Sequence, residues 1–152
     1  MKRSSQGLTL VELLVIVAIV AVLLVIALPW WLSAVGRKKQ KQTMGDMRTC
    51  ATANEAYSID RGQYVASGER GIGELRSVYE FTYVKSLPAR DGWGTEFRYI
   101  ASQREYTITS YGSDRSSGGG GAIDANGGTT NFKNDIVFST GSFVVFPDGG
   151  GS

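Results

Sequence analysis

The stretch SSQGLTLVELLVIVAIVAVLLVIALPWW, Ser4 to Trp31, decides how the rest of the chain is read. From Leu8 to Leu32 its only strongly polar side chains are Thr9 and Glu12. Sixteen consecutive apolar residues, Leu13 to Leu28, precede Pro29, Trp30 and Trp31. Counted from Leu8, the 25-residue stretch is long enough to cross a hydrocarbon layer of about 30 Å as a helix. A carboxylate at the centre of such a helix costs roughly 2.5–3.5 kcal/mol. Glu12 therefore sits at an interface or has a partner outside this chain.

Three readings compete for the segment. A cleaved secretory signal would use Lys2 and Arg3, an apolar core and a small-residue site at Ser33-Ala34, but the run is long for that and Glu12 interrupts it. A plain membrane anchor fits the length, with Trp30 and Trp31 at the far interface. The third reading starts from Gly7-Leu8-Thr9-Leu10-Val11-Glu12: a small residue, four mostly apolar residues, then glutamate, after a short basic leader. One feature opposes an exported head. Arg37, Lys38, Lys39 and Lys41 follow the span, against two basic residues before it, and a positive-inside count would put that side in the cytoplasm.

Elsewhere composition mostly excludes. The 152 residues carry a net charge of +2, with no basic stripe that would engage nucleic acid. The absence of histidine removes the commonest general base and transition-metal ligand. Asp and Glu residues are present, but nothing organises them into a catalytic site. Cys50 is alone, so no intrachain disulfide forms, and it reads as a small core residue.

Past the span, Met44, Met47, Cys50, Ala53 and Tyr57 recur at helical spacing, and Gly62 is placed to cap the helix end. Ile72 to Val78 reads as a short helix and Tyr79 to Val84 as extended. Phe97–Ile100 with Tyr106–Thr109 reads as a hairpin, and Ile136–Phe138 with Phe143–Phe146 as a second strand pair. Asp148 to Ser152 reads as a loose tail. Trp93, in Asp91-Gly-Trp-Gly94, reads as a turn that drops its indole into the core. The expected fold class is α+β, a long N-terminal helix packed on a small antiparallel sheet.

The Gly7–Glu12 pattern resembles the processing site of type IV prepilins and type II secretion pseudopilins, with Leu8 in place of the usual phenylalanine. Pro29, 21 residues after Leu8, matches the family's helix-kinking proline. Leu87-Pro-Ala-Arg-Asp-Gly-Trp-Gly-Thr-Glu-Phe-Arg-Tyr99 and Ser110-Tyr-Gly-Ser-Asp114, followed by Gly118–Gly121 and Asp135-Ile136, resemble motifs of the major pseudopilin of type II secretion. Gly92 stands where that family has proline, and Arg115 where it has glycine. The resemblance implies a type IV pilin-like fold divided into a leader over 1–7, an assembly half of the helix over 8–35, and a periplasmic head over 36–152. It implies cleavage after Gly7 and methylation of the Leu8 amine by prepilin peptidase. It implies pairing of Glu12 with the amine of a neighbouring subunit, and growth of a homo-oligomeric periplasmic filament with minor pseudopilins on an inner-membrane platform. An ion pair in low dielectric is far stronger than one in water.

The segment Tyr111–Asp135 is glycine-rich and carries many oxygen-bearing side chains. Such a loop in a small domain is usually functional or disordered. In the resembling family it binds calcium, which takes six to eight oxygen ligands. The carbonyl of Tyr111 and the side chain of Asp114 carry over by motif, with Asp124 and Asp135 as further candidate ligands; the spacing is not that of an EF-hand. The leading expectation is thus a structural pseudopilin subunit. A pilin or minor pilin of a surface or DNA-uptake filament would share the first 50 or so residues and differ in the head. A membrane-anchored periplasmic calcium- or ligand-binding domain that never polymerises is a further alternative.

Overall fold

A computed structural model describes residues 8–120 and 127–147. The leader over 1–7, Asp124 and the tail from 148 lie outside these. One helix, α1, runs Leu10–Arg61 and includes Pro29. Contacts divide the chain into two compact units, one ending at Gly36 and the other beginning at Arg37. In the first unit every side chain from Leu8 to Leu32 is exposed. Its mean hydropathy reaches 3.3, and α1 alone among the described residues is long and apolar enough to cross a membrane.

The second unit has its own core. Met44, Met47, Cys50, Ala51 and Ala53 of α1 are buried against strand residues Tyr99, Ala101, Tyr106, Ile108, Ile136 and Phe138. The helical spacing of the expected positions puts them on one face, and that face meets the sheet. Gly62 ends the helix in a left-handed conformation, φ +73°, and its amide donates to the Ser58 carbonyl at 2.8 Å.

The sheet has six strands: β1 (Ser67–Gly71), β2 (Arg98–Ala101), β3 (Tyr106–Ser110), β4 (Gly128–Thr129), β5 (Ile136–Ser139) and β6 (Ser142–Pro147). Their order is β1-β2-β3-β5-β6-β4, antiparallel throughout except for the short β4–β6 pair. Both expected strand pairs are present, β2–β3 and β5–β6. Strands β1 and β4 were not foreseen. Ser67–Gly71 has no apolar alternation and pairs through its backbone as an edge strand with a bulge; charge and bulging are what keep such edges from pairing with other chains.

The expected helix after Ile72 is split into a 3₁₀ turn, Ile72–Leu75, and one α-turn, α2, Arg76–Tyr79. The stretch after it is not extended. The Tyr83 and Val84 amides fold back to the Tyr79 carbonyl, and Phe81 adopts φ +66°. The Trp93 indole is half-buried at the rim of the core rather than dropped into it.

Candidate functional site

Two places carry the expected functional residues, one in each unit. At the start of α1, Thr9 precedes the first helical residue. The Glu12 amide donates to the Thr9 hydroxyl at 3.3 Å, and the Thr9 amide donates to the Glu12 carboxylate at 3.4 Å. This reciprocal pair is a capping box, which satisfies two helix-end amides at once. Thr9-x-x-Glu12 was legible as that motif, and Thr9 is the residue the sequence reading passed over. Glu12 therefore already has a local partner within its own chain. Pro29 lies in the helix interior, where the Ser33 hydroxyl donates to its carbonyl at 3.0 Å.

In the second unit, Ser110 ends β3 and the chain turns through Gly112–Asp114 in a 3₁₀ turn entered by Tyr111. The turn is clasped by residues 132–134. Gly112, at φ +64°, has the carbonyls of Asn134, Phe132 and Lys133 at 2.6, 2.9 and 3.0 Å from where a Cβ would stand. The Ser113 amide donates to the Phe132 carbonyl. Only glycine suits this position, on both backbone and space.

Asp114 and Asp135 are brought together here. One Asp114 oxygen accepts from the Ser116 amide at 3.1 Å, and Oδ2 of Asp135 accepts from the Gly118 amide at 2.9 Å. A Cβ on Gly119 would overlap the Asp114 carboxylate. The other Asp135 oxygen is buried without a hydrogen-bond partner among the described residues. Burial pushes the Asp135 carboxyl above the usual carboxylate range, the Gly118 amide opposes this, and the negative charge of Asp114 adds to the rise. A buried carboxylate oxygen without a donor, beside a second carboxylate, is a hard-oxygen set that fits a cation such as calcium. Among the described residues no three acidic or cysteine side chains converge, so any shell needs oxygens beyond these two carboxylates. The Tyr111 hydroxyl points elsewhere, donating to Glu69 at 3.0 Å.

The neighbouring Asp91–Gly94 turn braces this region. Asp91, 5% exposed, accepts the Trp93 and Thr95 amides on one oxygen and the Ser110 hydroxyl on the other, at 2.9, 2.8 and 2.7 Å. Arg115, in the left-handed region at φ +60°, reaches back to donate to the Trp93 carbonyl at 3.1 Å.

Comparison with known proteins places these features. Residues 31–126 match the family described as type II secretion system (T2SS), protein G, and residues 2–28 match the prokaryotic N-terminal methylation motif. The type II secretion system core protein G of Pseudomonas aeruginosa is 28% identical over 130 residues, covering 78% of this chain and 90% of that protein. The Vibrio cholerae core protein G is also 28% identical over 130 residues, covering 78% and 88%, and that of Dickeya chrysanthemi 25% over 126, covering 75% and 81%. No solved structure matches the chain. With its head and its N-terminal motif both matched, the chain belongs to the protein G family of type II secretion, the pseudopilins.

Proposed function

We propose that this pseudopilin is a structural subunit rather than an enzyme. It is cut by prepilin peptidase between Gly7 and Leu8, methylated at the Leu8 amine, held in the bacterial inner membrane by its apolar helix with the head in the periplasm, and polymerised there into the secretion filament. The observation that carries the reading is the exposed apolar surface of Leu8–Leu32 in a chain whose head unit closes its own core. A monomer can satisfy such a surface only in lipid, and a filament can satisfy it against neighbouring helices.

In this reading Glu12 has two successive partners. In the membrane monomer its carboxylate serves the Thr9 cap. On assembly it meets the amine of an adjoining subunit, where leaving either charge unpaired is the expensive alternative. Asp114 and Asp135, with the Tyr111 carbonyl and the segment containing Asp124, would hold calcium. When bound, the ion would neutralise the two carboxylates and order the glycine-rich loop.

The test is mass spectrometry of the protein from its native host, joined to filament pelleting. The mature chain is expected to begin at methylated Leu8. Glu12→Ala and Glu12→Gln are expected to be processed and inserted normally while pelleting poorly. An intact leader, cleavage after Ala34, or wild-type pelleting of Glu12→Ala overturns the corresponding step.

A further inference from the structure

The head begins with four cations, Arg37, Lys38, Lys39 and Lys41, on the same helix that buries Thr43 and Met44. The fold adds two more from distant sequence. The Asp91–Gly94 turn lies against Lys39: a Cβ on Gly92 would come within 2.6 Å of the Lys39 carbonyl, and the Gly92 amide donates to the Thr43 hydroxyl at 2.9 Å. Arg90 donates to the Gly94 carbonyl at 2.9 Å and Arg115 to the Trp93 carbonyl at 3.1 Å. Arg90 and Arg115, both exposed, are thus bonded to the turn that packs against Lys39, while Arg37, Lys38 and Lys41 are exposed on the helix itself and Trp93 is half-buried in the turn.

Among the described residues none of the six forms an ion pair with a carboxylate; the ion pairs there are Arg76–Glu80 and Arg98–Glu69. The one carboxylate in the turn, Asp91, is buried and committed to two amides and a hydroxyl. The chain's net charge is only +2, so this concentration is local. A fold does not need it: neither Arg90 nor Arg115 is buried, and among the described residues each bonds a single carbonyl.

We propose that these basic residues around the start of the head bind the anionic headgroups of phospholipids, seating the head of the unassembled subunit on the membrane surface. Juxtamembrane lysine and arginine clusters are attracted to acidic lipid, and an indole suits the headgroup level. Arg37 follows Gly36 directly in the chain, so these residues are tethered to the apolar helix and cannot diffuse away from the bilayer that helix occupies. The inference also accounts for the excess of positive charge beyond the span. Those residues act as lipid ligands rather than as a topology signal. It rests on the membrane insertion of the proposed function and adds a lipid class to it.

The experiment uses the full chain in phosphatidylcholine vesicles containing about one-third phosphatidylglycerol, an acidic fraction high enough to give a negative surface potential. Energy transfer from the tryptophans is measured to trace phosphatidylglycerol or phosphatidylcholine carrying the same acyl-chain label. The expected result is several-fold stronger transfer to labelled phosphatidylglycerol, falling toward parity in high salt as the charges are screened. R37Q/K38Q/K41Q is expected to abolish the preference, R90Q to reduce it, and K2Q/R3Q to leave it. Parity in the wild type, an undiminished preference in R37Q/K38Q/K41Q, or loss only in K2Q/R3Q overturns the proposal. So does an R37Q/K38Q/K41Q variant that fails to polymerise with its lipid preference intact, which would assign these residues to a neighbouring subunit. Flotation of the same vesicles separates the two readings: a chain that does not float with lipid has failed at insertion, and one that floats without preference has failed only here.

Discussion

Thr43 and Gly92 are 49 residues apart in sequence and joined by one hydrogen bond, the Gly92 amide donating to the Thr43 hydroxyl oxygen at 2.9 Å. Thr43 is fully buried, and its own hydroxyl proton goes to the Lys39 carbonyl at 2.8 Å. The Asp91–Gly94 turn is thereby laid on the helix with no room for a side chain. The atoms that a Gly92 Cβ would meet belong to Lys39, including its carbonyl and Cα, at 2.6 and 3.0 Å. Helix backbone cannot move aside as a flexible side chain can. Gly92→Ala is expected to destabilise the head by about 1–3 kcal/mol, in the range of overpacked sites. Gly92→Pro removes the donor as well. Thr43→Val, which keeps the shape but leaves the Gly92 amide without its acceptor, is expected to cost about 1–3 kcal/mol. Chemical denaturation of a soluble chain beginning at Arg37 measures all three. Wild-type stability of Gly92→Ala would mean that the turn is not seated on the helix.

A second buried contact ties the helix to the head through tyrosines. The hydroxyls of Tyr79 and Tyr99 both donate to Asn54 Oδ1, at 2.6 and 3.0 Å. Asn54→Leu leaves two phenols without that acceptor and is expected to cost more than Tyr79→Phe, which removes one neutral hydrogen bond of about 1 kcal/mol. Burial raises the pKa of Tyr79 and Tyr99, and of Tyr106, whose bond to the Glu55 carboxylate adds to the rise. The unfolded chain therefore gives up these protons first. Their contribution to stability is complete below the ordinary tyrosine value of 10 and is lost as pH climbs above it. Tyrosinate absorbance from these three should appear together with unfolding, not before it. Early, non-cooperative ionisation of all the tyrosines would show that the phenols are not enclosed.

Cys50 is fully buried and donates to the Pro88 carbonyl at 3.1 Å. Burial pushes its thiol up to about 12, and the nearby charge of Asp46 acts in the same direction. Because the thiolate is the reactive form, maleimide should label the native head far more slowly than the denatured one. Equal rates would place the thiol at the surface.

How much was legible follows from what each element depends on. The helix face Met44, Met47, Cys50 and Ala53 was readable because period and burial coincide. The β2–β3 pair was readable because its apolar residues alternate, and the β5–β6 pair because two short apolar runs flank a turn. Ser67–Gly71 was not, since its pairing is set by backbone contact with β2 and leaves no mark on its side chains. Val84 and Tyr83 suggested an extended segment, but their amides satisfy themselves on Tyr79. At the site, Asp114 and Asp135 were readable by motif. The clasp of residues 132–134 around Gly112 was not, because it depends on long-range register.

The calcium reading turns on Asp135, and its pH dependence separates it from a purely structural role. The raised Asp135 pKa means that folding favours the protonated acid. Its contribution is present below the ordinary value of 3.8 and is lost as pH rises through the higher folded value. At neutral pH, without calcium, the charged carboxylate should weigh against the fold. A bound cation reverses that sign. The soluble head is expected to melt higher in calcium than in chelator at neutral pH. The gain follows RT ln(1 + [L]/Kd), about 2.7 kcal/mol when free calcium is 100 times Kd. The difference should vanish in acid, as protons compete for the same oxygens. Magnesium should substitute poorly because it demands a tighter octahedron. Asp114→Ala should abolish the calcium shift. Asp135→Asn should abolish it too, yet melt no lower than wild type in chelator, because the amide carries no charge to bury. Asp148→Ala, in the tail, should leave the shift unchanged. If wild type and Asp135→Asn melt alike in chelator and in calcium at every pH, the two carboxylates serve only the hydrogen bonds to Ser116 and Gly118.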